Sequence, residues 1–199
     1  LIFMDDLGYG DIMPFGSINY ETPHINKLAK EGMLFTNFYS VQAVCSASRA
    51  ALLTGCYSNR IGISGALFPA STTGLNENEI TIAELLKEKG YATSIFGKWH
   101  LGFQEKFLPL NHGFDTFLGL PYSNDMWPVD FDGNQISDTS NWRKKAYPQL
   151  PLIEDFKKID EIRTLEDQAK LTTLYTEKSV EFINNNKDKL PEKIITKAN

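Results

Sequence analysis

The sequence has few cysteines, few histidines and no long apolar run. Its 199 residues include only two cysteines, Cys45 and Cys56, and three histidines. Two cysteines exclude a disulfide-rich scaffold and are too few for a structural zinc site. With 14 glycines and 9 prolines the chain is neither collagen-like nor linker-like. No apolar run approaches the roughly 20 residues that span a bilayer, so no membrane span is predicted.

The sequence also lacks a large excess of either charge. It has 20 Lys and Arg residues against 25 Asp and Glu residues, which gives a net charge of −5. A mildly acidic chain is not expected to bind nucleic acid or anionic membranes through bulk positive charge. Apolar residues make up 42% and aromatic residues 12% of the chain, which is typical of a folded protein and excludes a disordered one.

The order of apolar patterns predicts an α/β fold. Strands are predicted over residues 1–4, 33–39 and 91–96, and helices over residues 22–32, 45–55, 76–89 and 165–187. Residues 128–164 are predicted to be rich in loops. Strands that alternate with helices favour a mostly parallel central sheet flanked by helices. Because the chain opens inside an apolar run and ends in a polar tail, we expect it to be part of a larger, incomplete α/β domain.

Acidic residues follow the first apolar run directly. Asp5 and Asp6 are adjacent, with Asp11 nearby. Two neighbouring carboxylates repel each other unless a cation lies between them, and oxygen ligands suit Ca²⁺ or Mg²⁺. The alternative interpretation is a solvated acidic turn.

Cys45 and Arg49 lie at the start of a predicted helix. The N-terminal amides and the dipole of a helix favour a thiolate or another anion at its first residue. Residues four apart share a helix face, so Arg49 can reach whatever Cys45 carries. The alternative is a small buried cysteine beside a surface arginine.

Lys98 and His100 follow the third predicted strand. In extended chain, residues two apart face the same way, and this pair would supply a fixed positive charge and a proton carrier. A loop lysine and a core histidine are the alternative. Residues 112–115 and 121–125 set polar groups among aromatic ones, as substrate contacts or as turns. Together these segments indicate a hydrolase that handles an anion.

The same segments resemble the sulfatase family, in the arylsulfatase A-like branch of the alkaline phosphatase superfamily. Residues 45–55 (CSASRAALLTG) resemble the first sulfatase signature, and residues 90–102 (GYATSIFGKWHLG) resemble the second. Residues 5–11 are similar to the family's amino-terminal metal motif, and residues 121–125 to a further family segment. The four segments occur in family order within residues 1–127.

The resemblance implies a sulfuric ester hydrolase with an arylsulfatase-like reaction. Cys45 would be converted to Cα-formylglycine by a sulfatase-maturating enzyme. The hydrate of that aldehyde would attack the sulfur of a sulfate ester and release the alcohol and then inorganic sulfate. The implied substrate is a sulfated small molecule or glycan. Export to the periplasm or secretion is expected from the family, although no signal peptide is recognisable in the sequence.

The resemblance also implies which residues carry the reaction. The implied metal ligands, with Ca²⁺ as the expected ion and Mg²⁺ as the alternative, are Asp5, Asp6 and Cys45. The implied catalytic residues are Cys45, Arg49, Lys98 and His100. The implied contacts to the substrate sulfate are Lys98 and Ser123.

The sequence departs from the family pattern in two ways. Ala47 stands where the commoner signature has proline, a variant typical of members matured by an anaerobic radical enzyme. After Leu165 the expected Asp-Asn metal pair and a further histidine are missing. The whole chain, residues 1–199, is therefore predicted to be the amino-terminal part of a sulfatase catalytic domain that lacks its carboxyl-terminal part. A phosphate or phosphonate monoester hydrolase on the same scaffold and a catalytically silent fragment remain as alternatives.

Overall fold

The computed structural model describes residues 1–189 of the chain. The chain divides into two compact units, Leu1–Ser40 and Val41–Asn199. Each unit is described by itself.

The first unit contains one α-helix, α1 (Pro23–Glu31), and two short 3₁₀ turns at Tyr9–Asp11 and Met13–Phe15. Pro23 occupies the first helical position, where its missing N–H costs no helical hydrogen bond. Helix α1 ends before Gly32. The helix predicted over residues 22–32 is therefore confirmed.

The two strands predicted in the first unit are wrong. Within the described residues, 1–4 and 33–39 form no strand. The side chains in these segments are exposed; Leu1, for example, is 93% exposed and Met33 78%. Apolar and β-branched residues fit a pleated, half-buried surface, but a strand forms only where a neighbour completes its backbone hydrogen bonds. The described part of this unit offers no such neighbour.

The second unit is built around a four-stranded mixed sheet. Its strands lie in the order β1 (Ser94–Lys98), β2 (Thr116–Leu120), β3 (Leu150–Glu154) and β4 (Lys157–Ile162). Strands β1 and β2 are parallel, whereas β2–β3 and β3–β4 are antiparallel. The α/β class is confirmed, but the described sheet is not mostly parallel. Only two residues join β3 to β4, and a parallel connection needs a long crossover.

The sheet also changes two predicted segment boundaries. The third predicted strand, expected over residues 91–96, forms at Ser94–Lys98. Residues 128–164 are expected to be loop-rich, yet they hold β3, β4 and the short helix α4 (Trp142–Ala146). Strand β2 lies in another stretch of turns and aromatic residues, where no strand is predicted.

Three longer helical segments complete the second unit: α2 (Cys45–Thr54), α3 (Ile82–Lys87) and α5 (Leu165–Asn186). Helix α2 ends at Gly55, which takes up a left-handed conformation with φ of 69°. Helix α3 starts later than predicted because Thr81 caps it. The Thr81 hydroxyl accepts a hydrogen bond from Glu84 N, and the Glu84 carboxylate accepts one from Thr81 N. Among residues 1–189, no helix is long and apolar enough to cross a membrane.

Apolar side chains pack on both faces of the sheet. One cluster contains Phe96, Leu118 and Leu120 together with Leu171 of α5. The other contains Ile95 and Phe117 together with residues of α2 and α3, among them Ala47, Ala50 and Ala83. Neighbouring strand residues belong to opposite clusters, as the two-residue period of a strand requires. The sheet thus lies between α5 on one side and α2 with α3 on the other.

Candidate active site

Five of the predicted site residues lie in the second unit, on three segments. Cys45 is the first residue of α2, and Arg49 lies one turn further along that helix. Lys98 is the last residue of β1, and His100 follows two residues later. Ser123 lies in the loop after β2.

Cys45 stands at the amino end of a ten-residue helix. Its side chain is half-buried, and both cysteines lie in the described part of the chain without forming a disulfide. The first backbone N–H groups of a helix have no partner within the helix, and they carry a partial positive charge. Position 45 therefore faces the partial positive charge of the helix start.

Arg49 connects α2 to the end of β1. Its Nη1 atom donates a hydrogen bond to the main-chain oxygen of Lys98, at 2.5 Å. The sequence predicts only that Arg49 shares a helix face with Cys45. In the structure the Arg49 hydrogen bond also links residues 45–55 to residues 90–102, the two segments that resemble the sulfatase signatures.

Lys98 and Ser123 meet directly. The Lys98 ammonium donates to the Ser123 hydroxyl at 3.1 Å, and Ser123 is 8% exposed. The main chain keeps the two segments side by side beyond the end of the strands. Trp99 N donates to Leu120 O at 2.9 Å, and His100 N donates to Pro121 O at 3.1 Å. The ammonium and the hydroxyl are thus held together by a continuous backbone ladder.

The loop that carries Ser123 is anchored on its other side as well. Asn124 exchanges two hydrogen bonds of 2.9 Å with Gln168 on α5. Arg143 donates to the main-chain oxygen of Asp125 at 2.6 Å. Fixed loops of this kind place functional groups accurately at the ends of strands.

His100 is buried and conformationally strained. Its side chain is 1% exposed, and its φ of 58° lies in the left-handed region. That conformation costs a non-glycine residue about 1–2 kcal/mol, and such strain is characteristic of functional positions. The ring nitrogen Nε2 lies 2.6 Å from the main-chain oxygen of Leu67.

Sequence reasoning missed two residues that support this arrangement, Ser46 and Leu67. Ser46 is fully buried, and its hydroxyl accepts a hydrogen bond of 3.0 Å from Leu67 N. Leu67 contributes through its main chain, which leaves no signal in the sequence. Ser46 could have been found as the polar residue next to Cys45 that the helix turns toward the core.

The predicted metal ligands are not seen as a ligand cluster. Asp5 and Asp6 lie in the first unit, and their side chains are exposed. Among the described residues there is no group of three or more His, Cys, Asp or Glu side chains that could hold a metal ion. A calcium ion takes six to eight oxygen ligands, so two adjacent carboxylates supply only part of a site. Asp5 and Asp6 therefore offer oxygen ligands of the type that Ca²⁺ prefers, but they are not a complete ligand set.

His112 belongs to the core rather than to a substrate surface. It is fully buried, and its ring stacks on Trp99 with centroids 5.8 Å apart. Neither ring nitrogen has a hydrogen-bond partner within residues 1–189. Burial lowers the pKa of His112 below its usual 6.5, although Glu84 and Glu77 act in the opposite direction. The neutral ring therefore helps to hold Trp99, which lies between Lys98 and His100.

Comparisons with known proteins bear on the family of this chain. The family model described as Sulfatase matches residues 1–192. Arylsulfatase A from Bos taurus is 50% identical over 131 residues, which are 64% of this chain and 26% of that protein. Human N-acetylgalactosamine-6-sulfatase is 36% identical over 197 residues, covering 92% of this chain and 35% of that protein. The chain thus spans between a quarter and about a third of the length of these two relatives.

A solved sulfatase structure has a similar fold. The crystal structure of the PsFucS1 sulfatase from Pseudoalteromonas sp. superimposes with a TM-score of 0.78 and 33% sequence identity. The match covers 93% of this chain and 40% of that one. The α/β architecture described above is therefore the one found in a known sulfatase.

Proposed function

Because this chain belongs to the sulfatase family, we propose that it carries the nucleophile side of a site that hydrolyses sulfate esters. The observation that supports this most is the joining of Arg49, Lys98 and Ser123 by direct hydrogen bonds. Three segments far apart in sequence thereby bring an arginine, a lysine ammonium and a serine hydroxyl into one hydrogen-bonded group. A sulfate ester is an anion whose oxygens need such a surrounding.

Cys45 is the proposed position of the formylglycine. The half-buried thiol is outside any disulfide and stands at a helix start whose amides favour an anionic oxygen. A formylglycine at this position would supply the oxygen nucleophile. Its formation requires a sulfatase-maturating enzyme as a partner, which Ala47 suggests is of the anaerobic radical type.

The other side chains bind, orient and move protons. Lys98 offers an ammonium group and Ser123 a hydroxyl at one point, so both can contact the same sulfate group. Arg49 remains charged at any pH of interest, and its bond to Lys98 O sets the position of the lysine main chain. His100 is proposed to be the base that takes up and returns a proton.

Ca²⁺ is the proposed metal, with Mg²⁺ as the alternative, and Asp5, Asp6 and Cys45 are its proposed ligands. The support is the family and the oxygen chemistry of the two carboxylates. Isothermal titration of the chain with Ca²⁺ tests this. Heat of binding that disappears in Asp5→Asn and Asp6→Asn variants supports the assignment, and unchanged binding in both variants contradicts it.

A sulfated sugar is the proposed substrate class. Human N-acetylgalactosamine-6-sulfatase, which matches almost the whole chain, is named for a sulfated amino sugar. Export to the periplasm or secretion is proposed for the whole protein, on the ground of its family alone.

The proposed function is tested by coexpressing the chain with a maturating enzyme and assaying an aryl sulfate and an aryl phosphate. Mass spectrometry of the peptide around Cys45 should show the aldehyde, and sulfate hydrolysis should vanish in Cys45→Ala. Cys56→Ala is the matched control, because Cys56 lies just after the same helix and should not affect turnover. Faster hydrolysis of the phosphate would favour the phosphate hydrolase instead. A modified chain that hydrolyses neither ester would be a silent fragment.

A further inference from the structure

Ser46 links the start of α2 to the imidazole of His100 through a single intervening residue, Leu67. We propose that Ser46 is a positioning residue that fixes the hydrogen-bonding state of His100 by anchoring Leu67. The proposal rests on the proposed function in one respect, which is that His100 is the base of the site. It concerns the residue next to the nucleophile position rather than the nucleophile itself.

Two hydrogen bonds define the link. Leu67 N donates to the Ser46 hydroxyl at 3.0 Å, and Leu67 O lies 2.6 Å from Nε2 of His100. The N–H and the carbonyl both belong to Leu67, so a hydrogen bond that fixes the N–H also restricts where the carbonyl oxygen can lie. Ser46 is fully buried and His100 is 1% exposed, which leaves little water to replace either bond.

The hydrogen bond to Leu67 O determines which ring nitrogen of His100 carries the proton. A main-chain oxygen can only accept a hydrogen bond, so Nε2 must carry the proton that bridges it to Leu67. A neutral imidazole has one N–H, which leaves the basic lone pair on Nδ1. The link therefore selects Nδ1 as the nitrogen that takes up a proton. Supporting groups of this kind orient histidines at many functional sites.

The loop around Leu67 is held by hydrogen bonds at other residues as well, whereas the hydrogen bond to the Ser46 hydroxyl acts on Leu67 itself. Ile63 N donates to Ser58 O at 2.9 Å, and Gln42 donates to Ser64 O at 2.7 Å. On the other side, Phe68 N donates to the Ser71 hydroxyl at 2.9 Å. Removal of the Ser46 hydroxyl should thus free Leu67 locally without releasing the whole loop.

Nitrogen-15 NMR of the histidine-labelled chain tests the proposal. In the unaltered protein at a pH where His100 is neutral, we expect Nε2 to be protonated, Nδ1 to be unprotonated, and the Nε2 proton to exchange slowly with water. In Ser46→Ala we expect that proton to exchange at least about fivefold faster, the factor that corresponds to one ordinary hydrogen bond. Signals of His24 and His112 are distinguished from that of His100 by single substitutions at those two positions.

Two further variants separate positioning from general damage. Ser48→Ala removes a hydroxyl from the same turn of α2 and should leave the exchange rate unchanged. Ser46→Thr keeps the hydroxyl and should keep the slow exchange. A merely structural role for Ser46 would lower stability without changing the His100 signals.

The proposal is overturned by a spectrum of the unaltered chain in which Nδ1 carries the proton, a result that needs no variant to fold. It is also overturned if Ser46→Ala and Ser48→Ala give the same Nε2 exchange rate as the unaltered chain. Neither result depends on turnover. An inactive chain with the expected spectrum would therefore contradict the proposed function while supporting this inference.

Discussion

Gly119 is the position where one added methyl group should damage the candidate site most directly. It lies in β2 opposite Gly97 of the parallel strand β1, one pair before Lys98 and Leu120. A Cβ atom on Gly119 would lie 1.7 Å from Gly97 O and 2.7 Å from Gly97 C. Close C···O contacts between strands are about 3.3 Å, so the oxygen would have to move by roughly 1.6 Å.

That displacement has a calculable cost. The contact is with main chain, so no side-chain rotation can relieve it. Overpacking of a well-packed interior costs about 1–3 kcal/mol, and each ladder hydrogen bond that is stretched costs about 1 kcal/mol more. We therefore expect Gly119→Ala to lower the free energy of unfolding by about 3 kcal/mol or more. The end of β1 that carries Lys98 should move with the strand.

Urea denaturation followed by tryptophan fluorescence measures this loss, and two other glycines serve as controls. Gly65 has open space around it and an ordinary φ, so Gly65→Ala should change stability by less than about 1 kcal/mol. Gly62 also has open space but a φ of 77°, so Gly62→Ala isolates the conformational cost, about 1–2 kcal/mol. A Gly119→Ala protein no less stable than Gly62→Ala would refute the reasoning.

Three further predictions concern the site and its support. Lys98→Met should lower kcat/KM for an aryl sulfate about 10²–10³-fold, as loss of one preorganised donor does; a change below tenfold would exclude Lys98 from the reaction. Burial holds the pKa of His112 below that of an unfolded histidine, so the unfolded chain binds more protons as the pH falls through about 6.5 and the protein should lose stability there. His112→Phe keeps a ring against Trp99 but cannot gain a proton, so its free energy of unfolding should lack this pH dependence of up to about 1.4 kcal/mol per pH unit. Urea denaturation between pH 5 and 7 measures the difference, and a pH dependence equal to that of the unaltered protein would contradict the prediction. Thr81→Val should cost about 2 kcal/mol of unfolding free energy, because the buried hydroxyl both donates to His112 O and accepts from Glu84 N; calorimetry that shows no loss would contradict this.

Local signals in the sequence predict the helices better than the strands. Pro23, Gly32 and Gly55 mark where α1 and α2 begin or end, and a helix satisfies its own hydrogen bonds within one segment. The capping pair Thr81 and Glu84 is equally visible, yet counting Ile80 on the apolar face starts the predicted helix at residue 76, too far toward the amino end. A side chain that caps a helix settles its start more firmly than apolar spacing does.

The strands depend on partners that no local pattern shows. Residues 33–39 have the composition of a strand but lie exposed without pairing in the described structure. Strand β2 is not predicted because it is short and lies among residues typical of turns. In the structure it pairs along its whole length with β1. The identity of a strand is decided by its neighbours, and those lie far away in sequence.

In the candidate site, the side chains can be predicted from the sequence, whereas the main-chain groups that hold them cannot. The residue types at positions 45, 49, 98 and 100 are enough by themselves to indicate anion chemistry. Two of these residues, Arg49 and His100, are held in place by carbonyl oxygens: Lys98 O accepts from Arg49, Pro121 O accepts from His100 N, and Leu67 O lies against the His100 ring. Any residue can supply a carbonyl, so these supports leave no trace in residue identity. In the structure His100 contacts both Pro121 O and Leu67 O while its backbone is in the left-handed conformation. Gly97 and Gly102, both with positive φ, stand on either side of this strained histidine, and glycine adopts that conformation without the steric cost that a side chain adds.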